Sequence, residues 1–229
     1  MKKIIVFGFP HCGTSIMKSI IGHIEGVEEI YAEKINARKH VQRNSSSEYV
    51  LCKWPFTEPE FFKAQYKDYI KIFIIRNPVY VFSSINLRQL GSAKTRYKHS
   101  IKNYIETINH FNYYKENNKK NLYLIRYEDL FDSNYKNIKD IFNSIGFKYT
   151  DKIFENSNFI NKICEGVVNP LDKLPVTANH SRYRTWQLNQ KFENNNGKTE
   201  INLTNAQRTI INNNNIIRRA YPNISKCIK

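Results

Sequence analysis

One junction near the start of the sequence constrains the fold more than any other feature. Lys2 to Gly8 runs two lysines, then Ile-Ile-Val-Phe, then Gly, the pattern of a buried strand. From Thr14 the period changes. Ile16, Ile20 and Ile24 share one helical face, with Met17 and Ile21 beside them. Between strand and helix lies Gly8-Phe9-Pro10-His11-Cys12-Gly13-Thr14-Ser15. A strand, a Gly-bounded loop and a helix start turn backbone N–H groups and the positive end of a helix dipole toward an anion. The hydroxyls of Thr14 and Ser15 add donors. A plain strand–turn–helix without a ligand accounts for the same residues and stays open at this point.

The rest of the chain repeats the alternation. Glu28 to Glu33 reads as a short strand, Tyr49 to Cys52 as a third, Tyr69 to Ile75 as a fourth with apolar residues on both faces, and Asn121 to Ile125 as a fifth. Helices are expected over Glu58 to Tyr66, Pro78 to Leu87, about Ser100 to Tyr114, and Lys136 to Ile145, the last stopped by Gly146. Beyond Thr150 the pattern gives helices near Arg182 to Lys191 and Asn205 to Asn213. Glu193 to Lys198 is expected to be an exposed loop, and the Asn runs carry no evident function. Strands alternating with helices imply an α/β fold, a mostly parallel sheet flanked by helices. With 229 residues, one domain over 1–229 is expected. In such sheets ligands sit beyond the carboxyl ends of the strands. That singles out Gly8 to Ser15, Glu33, Lys53, Arg76 to Pro78, and Arg126 to Asp129.

Charge narrows the partners. The chain carries 36 Lys and Arg against 20 Asp and Glu, a formal +16 that calls for an anionic partner or marks a Lys-rich solvated surface. Cys12, Cys52, Cys164 and Cys227 show no CxxC spacing, so neither a zinc site nor a disulfide framework is expected. No apolar run reaches the ~18 residues of a membrane span, and no signal peptide is read. A cytoplasmic protein is the expectation.

Two phosphate sites are legible. The loop has the Gly frame of a Walker motif, but Thr14 stands where that motif has Lys, and no Asp ends the strand before Arg76. The loop suits a phosphate and not Mg-ATP. Arg76-Asn77-Pro78 follows a second strand, and Ser84 lies in the helix that comes next. An Arg fork and a Ser hydroxyl from these positions can share one phosphate.

These three segments in order, the loop Gly8 to Ser15, Arg76-Asn77-Pro78 with Ser84, and Arg126-Tyr127-Glu128-Asp129-Leu130, resemble the sulfotransferases that use 3′-phosphoadenosine 5′-phosphosulfate (PAPS). The likeness covers residues 1 to about 150. Leu51-Cys52-Lys53-Trp54-Pro55-Phe56 is similar to a stretch of the branches acting on protein tyrosine and glycans. Ser181 to Trp186 looks loosely like the late segment that closes over the nucleotide. The resemblance implies a P-loop-like fold, PAPS as co-substrate, PAP as product, and no metal. It implies nucleotide contacts from Pro10, His11, Cys12, Gly13, Thr14, Ser15, Arg76, Ser84, Arg182 and Tyr183. His11 stands where the family places Arg or Lys, so a group with an unperturbed pKa near 6.5 replaces a permanent cation. Lys53 is expected to share the leaving charge. Pro55 occupies the place of the His base of the small-molecule branch. Glu33 is therefore the expected base, with Glu28 and Glu29 near it, and His40 and His99 read as surface residues. Arg126 to Leu130 reads as a helix start, its acids favoured by the dipole. Arg88 to Lys102 is a candidate acceptor lining or a solvated helix.

The acceptor is expected to be a hydroxyl, with carbohydrate favoured by the Glu-base branches and the basic surface. Two other functions compete: a P-loop nucleotide kinase or NTPase, and a basic nucleic-acid-binding protein without catalysis. The first lacks its Lys, and the second leaves the ordered motifs unexplained. Nucleic acid is therefore not the expected partner.

Overall fold

The structure, a computed structural model, describes residues 1–29, 46–54, 59–63, 66–87, 99–155, 192–198 and 200–228. Among these described residues five strands form one sheet: β1 Lys2–Phe7, β2 Val27–Glu29, β3 Tyr49–Trp54, β4 Ile70–Ile75 and β5 Leu122–Arg126. Their order is β2-β3-β1-β4-β5, and every pairing is parallel. The helices are α1 Thr14–Ile21, α2 Pro78–Leu87, α3 Ile101–Glu116, α4 Lys136–Ile145, α5 Asn205–Asn213 and α6 Asn215–Ala220. The α/β architecture expected from the alternation is the one observed.

Side-chain alternation along the strands sorts the core into two layers. Ile4 and Val6 of β1 and Ile70, Ile72 and Ile74 of β4 face Met17, Ile20 and Ile21 of α1, and Ile138 and Phe142 of α4. Ile5 and Phe7, with Phe73 and Ile75, face Tyr104, Ile108 and Phe111 of α3 and Ile217 of α6. Phe7 stacks on Phe73 at 4.8 Å between centroids. Such pairs add about 0.5–1.5 kcal/mol beyond area burial. Both faces of β1 and β4 are covered, which is why these strands read as unbroken apolar runs.

β1 lies in the middle, and the chain moves from β3 on one side of it to β4 on the other. That crossing is the switch point where a crevice opens at the carboxyl ends. The loop 8–13 fills it.

Several local expectations change. Over Glu58 to Tyr66 the described residues show only a 3-10 helix, Pro59–Phe62. Asn215–Ala220 is a helix that the Asn-rich composition conceals, because Asn214 N-caps it by accepting from the Ile217 N–H. Glu193 to Lys198 is not simply an exposed loop. Phe192 is buried against Phe131 and Phe154, and residues 193–196 are half-buried. The expected helix from Arg182 to Lys191 lies outside the described residues. Gly146 ends α4 as expected, at φ 87° with its N–H bonded to Phe142 and Asn143 carbonyls.

Candidate functional site

Two glycines shape the loop by leaving room. A Cβ on Gly8 would lie 2.1 Å from the Ile74 carbonyl oxygen, a rigid backbone atom of the neighbouring strand. A Cβ on Gly13 would lie 2.5 Å from Tyr127 Cδ2, and Gly13 has φ 93°. His11 also takes a left-handed conformation, φ 70°, which costs a side-chain-bearing residue about 1 kcal/mol or more. The Cys12 N–H closes the turn onto the Phe9 carbonyl at 3.2 Å. α1 then starts with no side-chain cap. As in any α-helix, its first N–H groups lack an intrahelical acceptor, and they lie beyond the carboxyl end of β1.

Lys53 meets this helix end. Cys52 and Trp54 point into the α3 layer, so alternation puts Lys53 on the α1 side with Leu51. Its Nζ donates to Ser15 Oγ at 3.0 Å. Thr14 is buried, while Ser15 is half-exposed.

Arg76 leaves the end of β4 and enters a shell of fixed partners. Its Nε donates to Asn196 Oδ1 at 2.8 Å, and Nη1 donates to the His11 carbonyl at 3.2 Å. The guanidinium lies 4.3 Å from the centroid of the Tyr127 ring, with Tyr80 at 6.0 Å. The Tyr104 hydroxyl accepts from the Arg76 N–H at 3.2 Å and donates to the Arg76 carbonyl. Asn77 caps α2 by accepting from the Val79 N–H at 3.0 Å, and Pro78 takes the first helical position.

Glu128 ties these parts together. One carboxylate oxygen, Oε1, accepts from the Asn77 N–H at 2.9 Å and from Asn196 Nδ2 at 2.7 Å. Oε2 is buried, with no hydrogen-bond partner among the described residues. Burial pushes this carboxyl above its usual range, against the pull of its hydrogen bonds and of Arg76. Tyr127 bonds the same C-terminal segment, donating to the Glu193 carbonyl at 3.3 Å and accepting from the Asn195 N–H at 3.2 Å.

The structure gathers some expected residues differently from the sequence reading. Ser84 faces His11, with Oγ 2.9 Å from Nδ1, so it meets the loop imidazole and not Arg76. His99 is not a plain surface residue: its ring packs edge-on to Phe9 and His11 at 6.3 and 6.2 Å. Cys12 is fully buried beside Tyr104, and burial pushes its thiol up to about 12. It is therefore a protonated packing group. Arg126–Leu130 starts a 3-10 helix, Tyr127–Leu130, without a side-chain cap, and Arg126 forms a bidentate pair with Asp129, both bonds 2.8 Å. Tyr127 and Glu128 go beyond the expected helix start, since they build the Arg76 shell. Pro10 is buried in the loop. Glu33, His40, Arg182, Tyr183 and most of Arg88 to Lys102 lie outside the described residues.

The sequence alone does not single out Asn196 or Tyr104. Asn196 sits in an Asn run with no pattern. Tyr104 is one apolar position of a helix face, and only the fold reveals its hydroxyl beneath Arg76. Among the described residues, no group of His, Cys, Asp or Glu is arranged to hold a metal.

No protein-family model matches the chain, and no curated protein matches it significantly. Among solved structures it is similar to a mouse sulfotransferase crystallised with PAP, with a TM-score of 0.50 and 16% identity over 66% of this chain. The fold is that of a sulfotransferase. The match spans 61% of the mouse enzyme's chain, under two thirds of its length. Within this sulfotransferase fold, the loop 8–15, Lys53 and Arg76 all lie at the carboxyl edge of the sheet, where α/β folds bind ligands.

Proposed function

We propose that this chain transfers a sulfuryl group from PAPS to a hydroxyl acceptor and releases PAP. The observation that carries the reading is the Lys53–Ser15 bond at 3.0 Å. Ser15 holds the position at which a Walker loop places the hydroxyl that ligates Mg²⁺. Here an ammonium ion reaches that hydroxyl instead. The anion facing the uncapped α1 terminus is thus met by a side-chain cation, which suits a phosphosulfate and disfavours Mg-ATP. Arg76, two strands along the sheet at the end of β4, is the proposed fork for the second phosphate that PAPS carries. The donor set fits the co-substrate: backbone N–H groups and a hydroxyl at one end, a guanidinium backed by an aromatic ring at the other.

In the proposed reaction the acceptor oxygen attacks sulfur. The bond from sulfur to the bridging oxygen breaks, and its electron pair stays on the 5′-phosphate of PAP. Lys53, the α1 N–H groups and His11 stabilise that charge. His11, held through Nδ1 by Ser84, is the proposed hydrogen-bond donor to the bridging oxygen. Glu33 is the proposed base for the acceptor proton. Arg182 and Tyr183 are proposed to close over the nucleotide, with no metal taking part. We take residues 1–229 as one sulfotransferase domain acting in the cytoplasm. The proposed acceptor is a carbohydrate, since a +16 chain suits a bulky or acidic one. Among the described residues no helix is long and apolar enough to cross a membrane.

Thermal shift with PAP, with ATP-Mg and with an oligonucleotide tests the reading. PAP is expected to raise the melting temperature. Stabilisation by ATP-Mg or oligonucleotide, with none by PAP, refutes it. Labelled PAPS offered with acceptor classes then identifies the acceptor, and Glu33→Gln is expected to spare PAP binding while removing turnover.

A further inference from the structure

The opposite end of the sheet carries a second concentration of charge. A cavity of about 400 Å³ opens at the start of β4 and β5, where the 3-10 helix Pro59–Phe62 and the α3–β5 turn approach each other. Lys63, Lys67, Lys71, Lys119 and Lys120 line it, against one acid, Asp68. It lies at the amino ends of the strands, whereas the loop 8–15 lies at their carboxyl ends. A strand of this length spans about 20 Å, so the two sites are separate.

Lys71 is the informative member. It sits inside β4 on the same face as Phe73 and Ile75, a position that strand alternation reserves for an apolar side chain. It is only 5% exposed. Its ammonium donates to the Tyr69 carbonyl at 3.0 Å, and it has no carboxylate in salt-bridge contact among the described residues. Three donors with one acceptor leave capacity for more. A buried ammonium without a paired anion is costly. Burial accordingly lowers the Lys71 pKa to about 8, with Lys119 pushing the same way and Asp68 opposing. Lys119 is oriented by rings, its Nζ lying 5.0 Å from Tyr114 and 5.8 Å from Phe62. Phe62 and Tyr114 stack at 4.2 Å, which makes that wall rigid. The cavity thus has a buried cation at its base, a cation against aromatic rings on its wall and exposed cations at its rim.

We propose that this lysine-lined cavity binds a compact oligoanion, a molecule with several closely spaced sulfate or phosphate groups. Such a ligand supplies acceptors to Lys71 and neutralises the repulsion among five ammonium groups. A single small anion matches neither the number of cations nor the volume. The site does not depend on the proposed transferase activity, because it uses none of the same residues.

The test is calorimetric titration of the full chain with two probes, sucrose octasulfate and inorganic tripolyphosphate. They separate a sulfated-sugar source from a polyphosphate source. Saturable binding by either probe is expected. The pair Lys67→Glu with Lys120→Glu, at exposed or rim positions, is expected to weaken it at least tenfold, and Lys71→Met is expected to weaken it as well. Lys53→Ala, at the other end of the sheet, is expected to leave it unchanged. Melting curves establish that each variant is folded. Should the pocket variants fold poorly, crosslinking of wild type with a probe carrying an amine-reactive group reports which lysines are touched. Absence of saturable binding overturns the proposal. So does binding that survives the charge reversals, falls with Lys53→Ala, or crosslinks outside the cavity. Failure here leaves the PAP thermal shift unaffected, so the two readings stand or fall separately.

Discussion

Lys53 Nζ donates to Ser15 Oγ across 3.0 Å, joining the end of β3 to the first turn of α1. Register explains the meeting: Lys53 pairs with Val6 of β1, whose side chain also faces the α1 layer. An ammonium at a helix N-terminus opposes the dipole unless an anion lies between them. An anion bound at the proposed phosphosulfate site would offset that opposition. Lys53→Ala is expected to lower kcat/KM for PAPS by about 100-fold, the scale of losing one transition-state charge donor. Lys53→Arg is expected to recover part of it. Steady-state assays with labelled PAPS measure both, and an unchanged kcat/KM in Lys53→Ala would move the role to another group.

Arg76 and Asn196 make a graded pair of tests. Arg76→Ala removes the fork itself and is expected to weaken PAP binding about 10- to 100-fold, the worth of charge-assisted hydrogen bonds. Asn196→Ala leaves the guanidinium in place and removes the neutral amide that accepts from Nε and donates to Glu128 Oε1. Its expected effect is smaller, about fivefold. Calorimetry with PAP reads both, and an Asn196→Ala loss as large as that of Arg76→Ala would mean that Asn196 itself contacts the nucleotide.

Gly13 and Gly146 separate steric from conformational cost. Both have positive φ, 93° and 87°. A Cβ at Gly13 strikes the Tyr127 ring, whereas one at Gly146 meets nothing within 4 Å. Gly146→Ala is expected to cost about 1–2 kcal/mol, the left-handed penalty alone. Gly13→Ala is expected to cost more and to weaken PAP binding, because Tyr127 also stacks on Arg76. Urea midpoints compare the two, and equal costs would show that the ring yields freely.

Glu128 gives the chain a pH signature. Its folded-state pKa is raised from 4.5 by burial. A raised pKa means that the folded state holds its proton more tightly. That contribution is fully present below the unfolded value and is lost as pH rises through the folded value. Wild type is therefore expected to gain stability relative to Glu128→Gln as pH falls from 7 toward about 4. Urea midpoints across that range check it, and a difference flat in pH would place the titration elsewhere.

Much of the site was legible because it is local. The Gly8–Gly13 frame, the uncapped helix start and the Arg76-Asn77-Pro78 turn are each encoded within a few consecutive residues. Strand and helix periods reported which faces are buried, so the parallel α/β sheet followed. Lys53 was legible as a strand-end residue. Asn196 was not, since an Asn run looks the same whether it faces water or bonds a guanidinium. The sequence places Ser84 where it can share a phosphate with Arg76, and only the fold adds that the α2 helix brings its hydroxyl to His11.

The sequence by itself determined the strand–loop–helix unit, the parallel sheet and the two basic positions at its carboxyl edge, because hydrophobic period and turn chemistry act over short range. Only the tertiary structure decided what surrounds those positions. Glu128 lies 51 residues from Asn77 and 68 from Asn196, and it joins them through a single carboxylate oxygen. Buried polar groups must find partners wherever the fold brings them, and no local pattern records which distant partner that is.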